Sequence, residues 1–317
     1  MKKLLLPFLL FSFLITLCFG SLTLQYAQQG LTIWFEKLVP SMFVTMVLVK
    51  FLYHTHAFAL VPLPFLPTLL NMNKAGVQLV LCTMLLGFPT GSLLIDEAYH
   101  EHTLSLPQAK RLLYTCCFAT PGFVIMTCGV VFYHSVKIGI LLYAAQLFAG
   151  LFLLFFTRKQ SVQAAFSPSA AQPMMKQLSI AVKESGLSLY MIGGYLMLFL
   201  SISGVLLSFL PEAVALPLRI SAEFSSGAVL LQSLPYASIL IQLLLCVLLS
   251  FGGFCVHMQI FSMVEHVPLS YGKFLLFRLL QALFSCLSFY MPVSYTHLVH
   301  LCLAHEPADQ IEYLPES

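Results

Sequence analysis

Charge is the scarcest property of this sequence. Only 9% of its 317 residues are Asp, Glu, Lys or Arg, and 59% are hydrophobic, whereas a soluble domain carries about 25% charged residues. A chain with so little charge cannot cover itself with a water-soluble surface. Its apolar runs are long and continuous, as membrane-spanning helices require. The composition therefore predicts an all-α polytopic membrane protein whose main partner is the lipid bilayer.

Signals for nucleic-acid binding, metal binding and catalysis are also scarce. The net charge of +3 is small, and no basic patch is dense enough to bind nucleic acid. The nine cysteines include no C-x-x-C pair, which argues against a metal site or a disulfide framework. His100 and His102 are two residues apart and do not share a helical face, so we assign them to a solvated loop. Because no phosphate loop, nucleophile elbow or H-E-x-x-H motif occurs, we expect neither an enzyme nor a cofactor.

The N-terminal residues 1–27 form a separate apolar segment. Lys2 and Lys3 precede an apolar core that ends near Gly20. This pattern fits either a secretory signal peptide or an uncleaved first span. We favour the uncleaved span because no small-x-small cleavage site follows the core.

A polar linker at 158–185 divides the rest of the chain into two halves, 28–157 and 186–292. The linker is rich in Ser, Gln, Ala and Pro and carries four bases against one acid. The positive-inside rule places it in the cytoplasm together with the N-terminal lysines. This placement requires an even number of membrane crossings between them. The polar tail at 293–317 has no assigned role.

Glycine, proline and small polar residues break the apolar runs in both halves. Such residues interrupt helices, and broken helices at corresponding positions of two halves often line a transporter's binding site. We pair the break at 87–91 with the break at 250–259. Free N–H groups at these breaks could receive a solute carboxylate. The predicted binding residues at the breaks are Gly87, Pro89, Thr90, Gly91, Ser92, Thr120, Pro121, Gly252, Gly253, His257 and Gln259.

Two segments are candidates for re-entrant hairpins. Pro40-Ser41 interrupts the run at 30–52, either as an interfacial turn before a helix or as one arm of a hairpin. Residues 219–232 are too short for a span and are the better candidate. An acid in this apolar segment is predicted to coordinate a coupling ion or to carry a proton, although an ion pair with Arg219 is the alternative. The predicted site residues here are Glu223, Ser225, Ser226 and Gly227.

His257 has two interpretations. A histidine near a helix break could exchange a proton near neutral pH or bind a carboxylate. It could also simply be hydrogen-bonded by a neighbouring helix. With the breaks and the buried acid, the residues favour a secondary transporter for a small-molecule solute coupled to H⁺ or Na⁺.

An ordered set of segments resembles the YlbJ family of sporulation integral membrane proteins, in the nucleoside-recognition, or Gate, domain group. The resemblance covers residues 28–292. It implies a fold similar to concentrative nucleoside transporters, with two re-entrant hairpins and partly unwound helices around a central site. The matching segments are GLTIWFEKLVPSMF at 30–43, GFPTGSLLIDE with the downstream KRLL at 87–113, TPGFVIMTCGV at 120–130, EFSSG at 223–227 and FGGFCVHMQIFS at 251–262.

The resemblance also implies a function in a spore-forming bacterium. The expected activity is export of a small anionic solute, dipicolinic acid, from the mother cell across the outer forespore membrane. A homo-oligomer is left open. The chain departs from the family at 116–119, which reads Cys-Cys-Phe-Ala instead of an Asn-rich pattern, and at Ser226, where the family has Asn. These lost amides keep two alternatives open, a nucleoside-type transporter and a non-transporting scaffold of spore envelope assembly.

Overall fold

The computed structural model describes residues 2–61, 64–158 and 173–304, and all regular elements in these ranges are helices. Half of the predicted linker (159–172) and the end of the tail therefore lie outside the described residues. Five described helices are long and apolar enough to cross a membrane: Gly20–His54, Val136–Phe156, Met174–Leu207, Ser238–Met263 and Tyr271–Met291. These helices confirm the prediction of an all-α polytopic membrane protein.

Fourteen helices are distinguished in the described ranges. The second contains a π-helical turn at Ile33–Leu38, a short 3-10 turn follows it at Ala57–Leu60, and the seventh is π-helical. In chain order they are α1 Lys2–Cys18, α2 Gly20–His54, α3 Phe65–Leu70, α4 Lys74–Leu86, α5 Thr90–His100, α6 Leu106–Thr115, α7 Gly122–Phe132, α8 Val136–Phe156, α9 Met174–Leu207, α10 Glu212–Ala222, α11 Phe224–Gln232, α12 Ser238–Phe251, α13 Gly253–Met263 and α14 Tyr271–Ala304.

Two helix pairs fold back on themselves as hairpins. In hairpin 1 (α4–α5) the Cα of Gly91 lies beside Thr83, so that a Cβ there would be 3.0 Å from the Thr83 methyl group. In hairpin 2 (α10–α11) Gly227 lies against the carbonyl oxygen of Ile220. Residues seven or eight apart in a straight helix are about 10–12 Å apart along its axis. The chain therefore reverses at both tips.

Two spans are broken near their middle. Broken span 1 (α6–α7) loses its helix between Thr115 and Gly122, and broken span 2 (α12–α13) is interrupted at Gly252. Gly252 and Gly253 have φ of +85° and +74°, values that favour glycine. Broken span 1 runs antiparallel to α8 along its length, since Arg111 contacts Leu154 at one end and Gly129 contacts Gly139 at the other.

The order of elements is the same in both halves. A long helix (α2 or α9) is followed by a hairpin, a broken span and a straight span (α8 or α14). Helices α2 and α9 are antiparallel, with Trp34 against Gly193 and Lys50 beside Glu184. Each half contributes three crossings if its broken span crosses the membrane and its hairpin does not. An odd number of crossings gives the two halves opposite orientations, as in inverted-repeat transporters.

Three details of the sequence interpretation are corrected. The chain does not turn at Pro40, because α2 is continuous there and the π-helical turn just before Pro40 accommodates its missing N–H. The linker ends earlier than 185, because α9 begins at Met174 and buries Gln177, Ala181 and Ser185 along one face. Helix α2 begins at Gly20 and runs through the predicted boundary at 27.

The predicted pairing of the two breaks is also wrong. The tip residues 87–92 of hairpin 1 correspond to 222–227 at the tip of hairpin 2, because both occupy the same place in the element order. The break at Gly252 corresponds instead to the unwound segment 116–121. Gln146 in α8 and Gln281 in α14 also correspond, because they are the same number of residues apart in the chain as the two tips.

Candidate functional site

The tips of the two hairpins meet in the interior of the protein. The rings of Phe88 and Phe224 are edge to face with centroids 5.0 Å apart, and Phe123 contacts Phe224 in the same way at 5.1 Å. Edge-to-face pairs of this kind contribute about 0.5–1.5 kcal/mol each beyond their buried area. The contact closes the space between the hairpins.

Each tip also packs against the break of the following span. The amide of Phe88 donates to the carbonyl oxygen of Phe118 at 2.7 Å. A Cβ on Gly87, which has φ +67°, would lie 2.8 Å from the amide nitrogen of Thr120. A Cβ on Gly253 would lie 3.0 Å from the amide nitrogen of Phe224. Glycine is needed at these positions because the two backbones touch.

A small cavity remains where the tips meet. Its volume of about 10 Å³ is enough for roughly one water molecule. Glu223 and Gln259 supply its polar side chains, and both are buried. The cavity is lined by Leu38, Met42, Phe88, Pro89, Ile192, Leu196, Glu223, Phe224 and Gln259. Both halves contribute to this wall, and the structure is closed around it.

The carboxylate of Glu223 caps the first turn of α11. Its oxygens accept hydrogen bonds from the amides of Ser225 (2.9 Å) and Ser226 (2.7 Å) and from the Ser225 hydroxyl (2.7 Å). A carboxylate is well placed at a helix N-terminus, where it satisfies free N–H groups and interacts favourably with the helix dipole. Arg219 pairs with Glu212 at 3.2 Å, so the alternative interpretation, an ion pair between Arg219 and Glu223, does not hold.

Side chains from the straight spans satisfy the backbone of the unwound segment 116–121. Gln146 accepts from the amide of Ala119 at 3.0 Å and donates to its carbonyl at 3.1 Å. The guanidinium of Arg278 donates to the carbonyls of Tyr114 and Cys117, and Gln281 also donates to Cys117. Backbone groups at membrane depth need such partners. The break is therefore a built feature of the fold.

His257 satisfies the break of span 2 in the same manner. Its Nε2 is 2.9 Å from the carbonyl oxygen of Phe251, and its Nδ1 is 3.5 Å from the Tyr271 hydroxyl. Phe254 and Phe274 surround the ring. The structure places His257 outside the cavity wall, in the position of a histidine that a neighbouring helix satisfies.

Among the predicted residues, the structure brings the two tips and two breaks together. Pro89, Glu223 and Gln259 line the cavity. Thr90 is fully buried, and its hydroxyl has no hydrogen-bond partner among the described residues. The others support the wall without lining it; these are Gly87, Gly91, Ser92, Thr120, Pro121, Ser225, Ser226, Gly227, Gly252 and Gly253.

Asp96 was missed by the sequence interpretation. It is 2% exposed and accepts from the amides of Glu265, His266 and Val267 at 2.8–3.2 Å. The His266 Nδ1 lies 2.8 Å from the same carboxylate. Its position as the first acid after a long apolar run is the signal that could have identified it. Asp96 fastens hairpin 1 to the loop after broken span 2.

A second buried charged residue, Lys50, joins α2 to α9 through an ion pair. Lys50 is 2% exposed, and its ammonium lies 3.3 Å from the Glu184 carboxylate, which also contacts His54 at 3.1 Å. A buried lysine needs such a partner, because an unpaired buried charge is costly. Among the described residues, no group of three His, Cys, Asp or Glu side chains could hold a metal ion.

The chain is similar to the sporulation integral membrane protein YlbJ of Bacillus subtilis (strain 168). The two are 24% identical over 306 aligned positions, which cover 82% of this chain and 75% of that protein. No protein-family model matches the chain, and no solved structure matches it. The likeness to nucleoside transporters therefore stays a prediction. The similarity to YlbJ over most of both chains supports the assignment of this integral membrane protein to the YlbJ family of sporulation integral membrane proteins.

Proposed function

We propose that the protein is a secondary transporter for a small anionic solute. The observation that carries this proposal is the cavity between two hairpin tips and two broken spans, with a buried carboxylate in its wall. Non-helical backbone at membrane depth is tolerated only where protein or a water-filled cavity satisfies it. A midplane site between inverted halves is the usual arrangement of secondary transporters.

The roles of the two tips differ. Glu223 fills the N-terminus of α11 with its own carboxylate, so it is the natural carrier of the coupled H⁺ or Na⁺. The N-terminus of α5 has no such acid, and the Thr90 hydroxyl has no partner there among the described residues. A solute carboxylate would bind at α5, because helix N-termini favour anions. The rings of Phe88 and Phe224 would flank a planar solute.

The solute that we propose is dipicolinic acid, moved across the outer forespore membrane during sporulation. The similarity to a sporulation membrane protein supports the biological setting. A planar dicarboxylate suits a site with an anion-binding helix terminus and aromatic walls. The present cavity holds about one water, so a solute enters only when a hairpin moves.

Complementation tests this proposal. A spore-forming host that lacks its own family member receives the wild-type chain, Glu223→Gln or the matched control Glu212→Gln. Glu212 is an exposed acid on the same hairpin. We expect spore dipicolinate to return with the wild type and with Glu212→Gln and to stay absent with Glu223→Gln. If the wild-type protein is in the membrane and dipicolinate stays absent, the assigned solute is wrong.

A non-transporting scaffold is the second candidate. The observation that favours it is the apolar unwound segment, in which Cys116, Cys117, Phe118 and Ala119 are all buried and offer no amide side chain to a solute. A scaffold would support spore envelope assembly equally well with Glu223→Gln, provided that the variant accumulates. The same complementation strains therefore separate the two functions.

A further inference from the structure

The N-terminal half of α2 carries a stripe of polar residues on its exposed face. Gln25, Gln29, Thr32 and Glu36 are all exposed. Their spacing of four, three and four residues places them on one side of the helix. We call these four residues the α2 stripe. The rest of this face continues with apolar residues, among them Val44 and Leu48.

The end of the α2 stripe lies deep in the membrane if the central cavity is the midplane site of the proposed function, on which this inference rests. Leu38 and Met42 of α2 and Ile192 and Leu196 of α9 line the central cavity. Glu36 is therefore only about 3 Å along the axis from the level of the cavity, whereas the hydrocarbon core extends roughly 15 Å to either side of its middle. Its carboxylate forms no hydrogen bond or ion pair with any described residue.

A charged group at this depth does not face lipid in ordinary membrane proteins. Acids within spans point toward other helices or toward a water-filled cavity, where they find partners. Glu36 points away from the interior of its own chain. Because no described residue of its own chain covers this carboxylate, a partner from outside the chain is its natural cover.

We propose that a second copy of this chain covers the α2 stripe. Two copies inserted in the same direction bring their α2 helices together in parallel, so each residue of the stripe meets the same region of its counterpart. Glutamine and threonine side chains donate and accept, so Gln25, Gln29 and Thr32 pair with themselves across the contact.

The charges fit the same arrangement. Lys37 follows Glu36 directly and is partly exposed. On two parallel helices, Glu36 of each copy lies beside Lys37 of the other, which gives two reciprocal ion pairs. This contact neutralises the carboxylate inside the membrane. An unrelated partner would need its own matching charges, whereas a second copy supplies them automatically.

Cysteine cross-linking in membranes tests this interface. The background replaces the exposed Cys18, the partly buried Cys286 and Cys302. Thr32→Cys is then compared with Leu283→Cys, which is an equally lipid-exposed position on α14 (54% exposed) that lies outside the stripe. We expect mild oxidation to give a disulfide-linked dimer with Thr32→Cys and no dimer with Leu283→Cys.

Exchanging the charges of Glu36 and Lys37 distinguishes loss of the interface from misfolding of a variant. Glu36→Lys should abolish the Thr32→Cys cross-link, and adding Lys37→Glu should restore it, because the reciprocal pairs re-form with reversed signs. Equal cross-linking at Thr32→Cys and Leu283→Cys, or no response to Glu36→Lys, would overturn the proposal. Labelling of Thr32→Cys by a membrane-impermeant thiol reagent would also overturn it, because the stripe would then face a water-filled crevice.

Discussion

The two hairpins share an architecture but differ in where their acids are used. Hairpin 1 uses Asp96 in its stem, where the carboxylate accepts four donors from a loop of the other half. Hairpin 2 uses Glu223 at its tip, where the carboxylate caps its own helix. The stem acid of hairpin 2, Glu212, is exposed and pairs with Arg219 of the same hairpin.

The two acids therefore have different roles: Asp96 holds its hairpin in place, and Glu223 contributes to the cavity. The Asp96 contact holds hairpin 1 to an element distant in the chain, so moving hairpin 1 breaks several buried hydrogen bonds. Hairpin 2 contributes its acid to the cavity, and its stem forms few polar contacts with other elements; one is from Gln232 to the Phe132 carbonyl. We therefore expect hairpin 2 to open more readily than hairpin 1.

The largest expected effect is that of Asp96→Ala. Three backbone donors lose their acceptor, one of them buried (the Val267 amide) and two part-buried, and an unsatisfied buried group costs about 1–3 kcal/mol. Because the loop can relax toward water, we expect a loss of roughly 3 kcal/mol in the free energy of unfolding, measured by denaturation in detergent micelles. The control is Glu101→Gln, an exposed acid just after α5. Equal stability of the two variants would show that Asp96 does not fasten hairpin 1.

Gly87→Ala should have the next largest effect. Gly87 has φ +67°, and a Cβ there would lie 2.6 Å from the Thr120 methyl group and 2.8 Å from its amide. We expect a loss of about 2 kcal/mol from strain and crowding. Gly194→Ala is the control, because no atom lies within 4 Å of its Cβ position. A thermal unfolding midpoint of Gly87→Ala that matches the control would contradict the tip-to-break contact.

Glu223→Gln should be milder for stability than for transport. The amide oxygen keeps one acceptor for the α11 amides, so we expect a loss of about 1 kcal/mol. Solute movement should be abolished, because a glutamine cannot carry a proton or neutralise a cation. Unfolding and solute flux measured on one preparation check both statements. Flux near the wild-type level would exclude Glu223 from the transport step.

The smallest effects on stability are expected for substitutions of Ser225 and Thr90, which occupy corresponding positions on the two hairpins. The Ser225 hydroxyl donates to Glu223 at 2.7 Å, so Ser225→Ala should cost about 1 kcal/mol. The Thr90 hydroxyl has no partner among the described residues, so Thr90→Val should leave unfolding unchanged. If the solute binds at α5, Thr90→Val lowers the affinity for it. Unchanged solute affinity with Thr90→Val would place the solute elsewhere.

The sequence predicted those features that depend on local chemistry. Low charge and long apolar runs gave the membrane class, and Gly87, Gly252 and Gly253 marked places where the helix stops. Glu223 stood out because an acid in an apolar run is costly. These signals are local, since helix breaking and burial of charge depend on the residue and its neighbours in the chain.

The remaining features depend on contacts between distant segments. Whether a break becomes a hairpin tip or an interrupted span depends on packing, so Gly87 and Gly252 looked equivalent in the sequence and are not. Arg278 and Gln146 form hydrogen bonds from other helices to the backbone of the unwound segment, and no sequence motif indicates these contacts. The π-helical turn before Pro40 likewise accommodates a proline that the sequence interpretation took as either a turn or one arm of a hairpin.

Solute flux in proteoliposomes tests the central claim most directly. Purified protein is reconstituted in vesicles loaded with radiolabelled dipicolinate, and efflux is measured for the wild type, Glu223→Gln and Glu212→Gln. The account predicts efflux with the wild type and with Glu212→Gln, and only background leakage with Glu223→Gln. Equal efflux from all three proteins, or leakage alone from a folded wild type under both a proton and a sodium gradient, would contradict it.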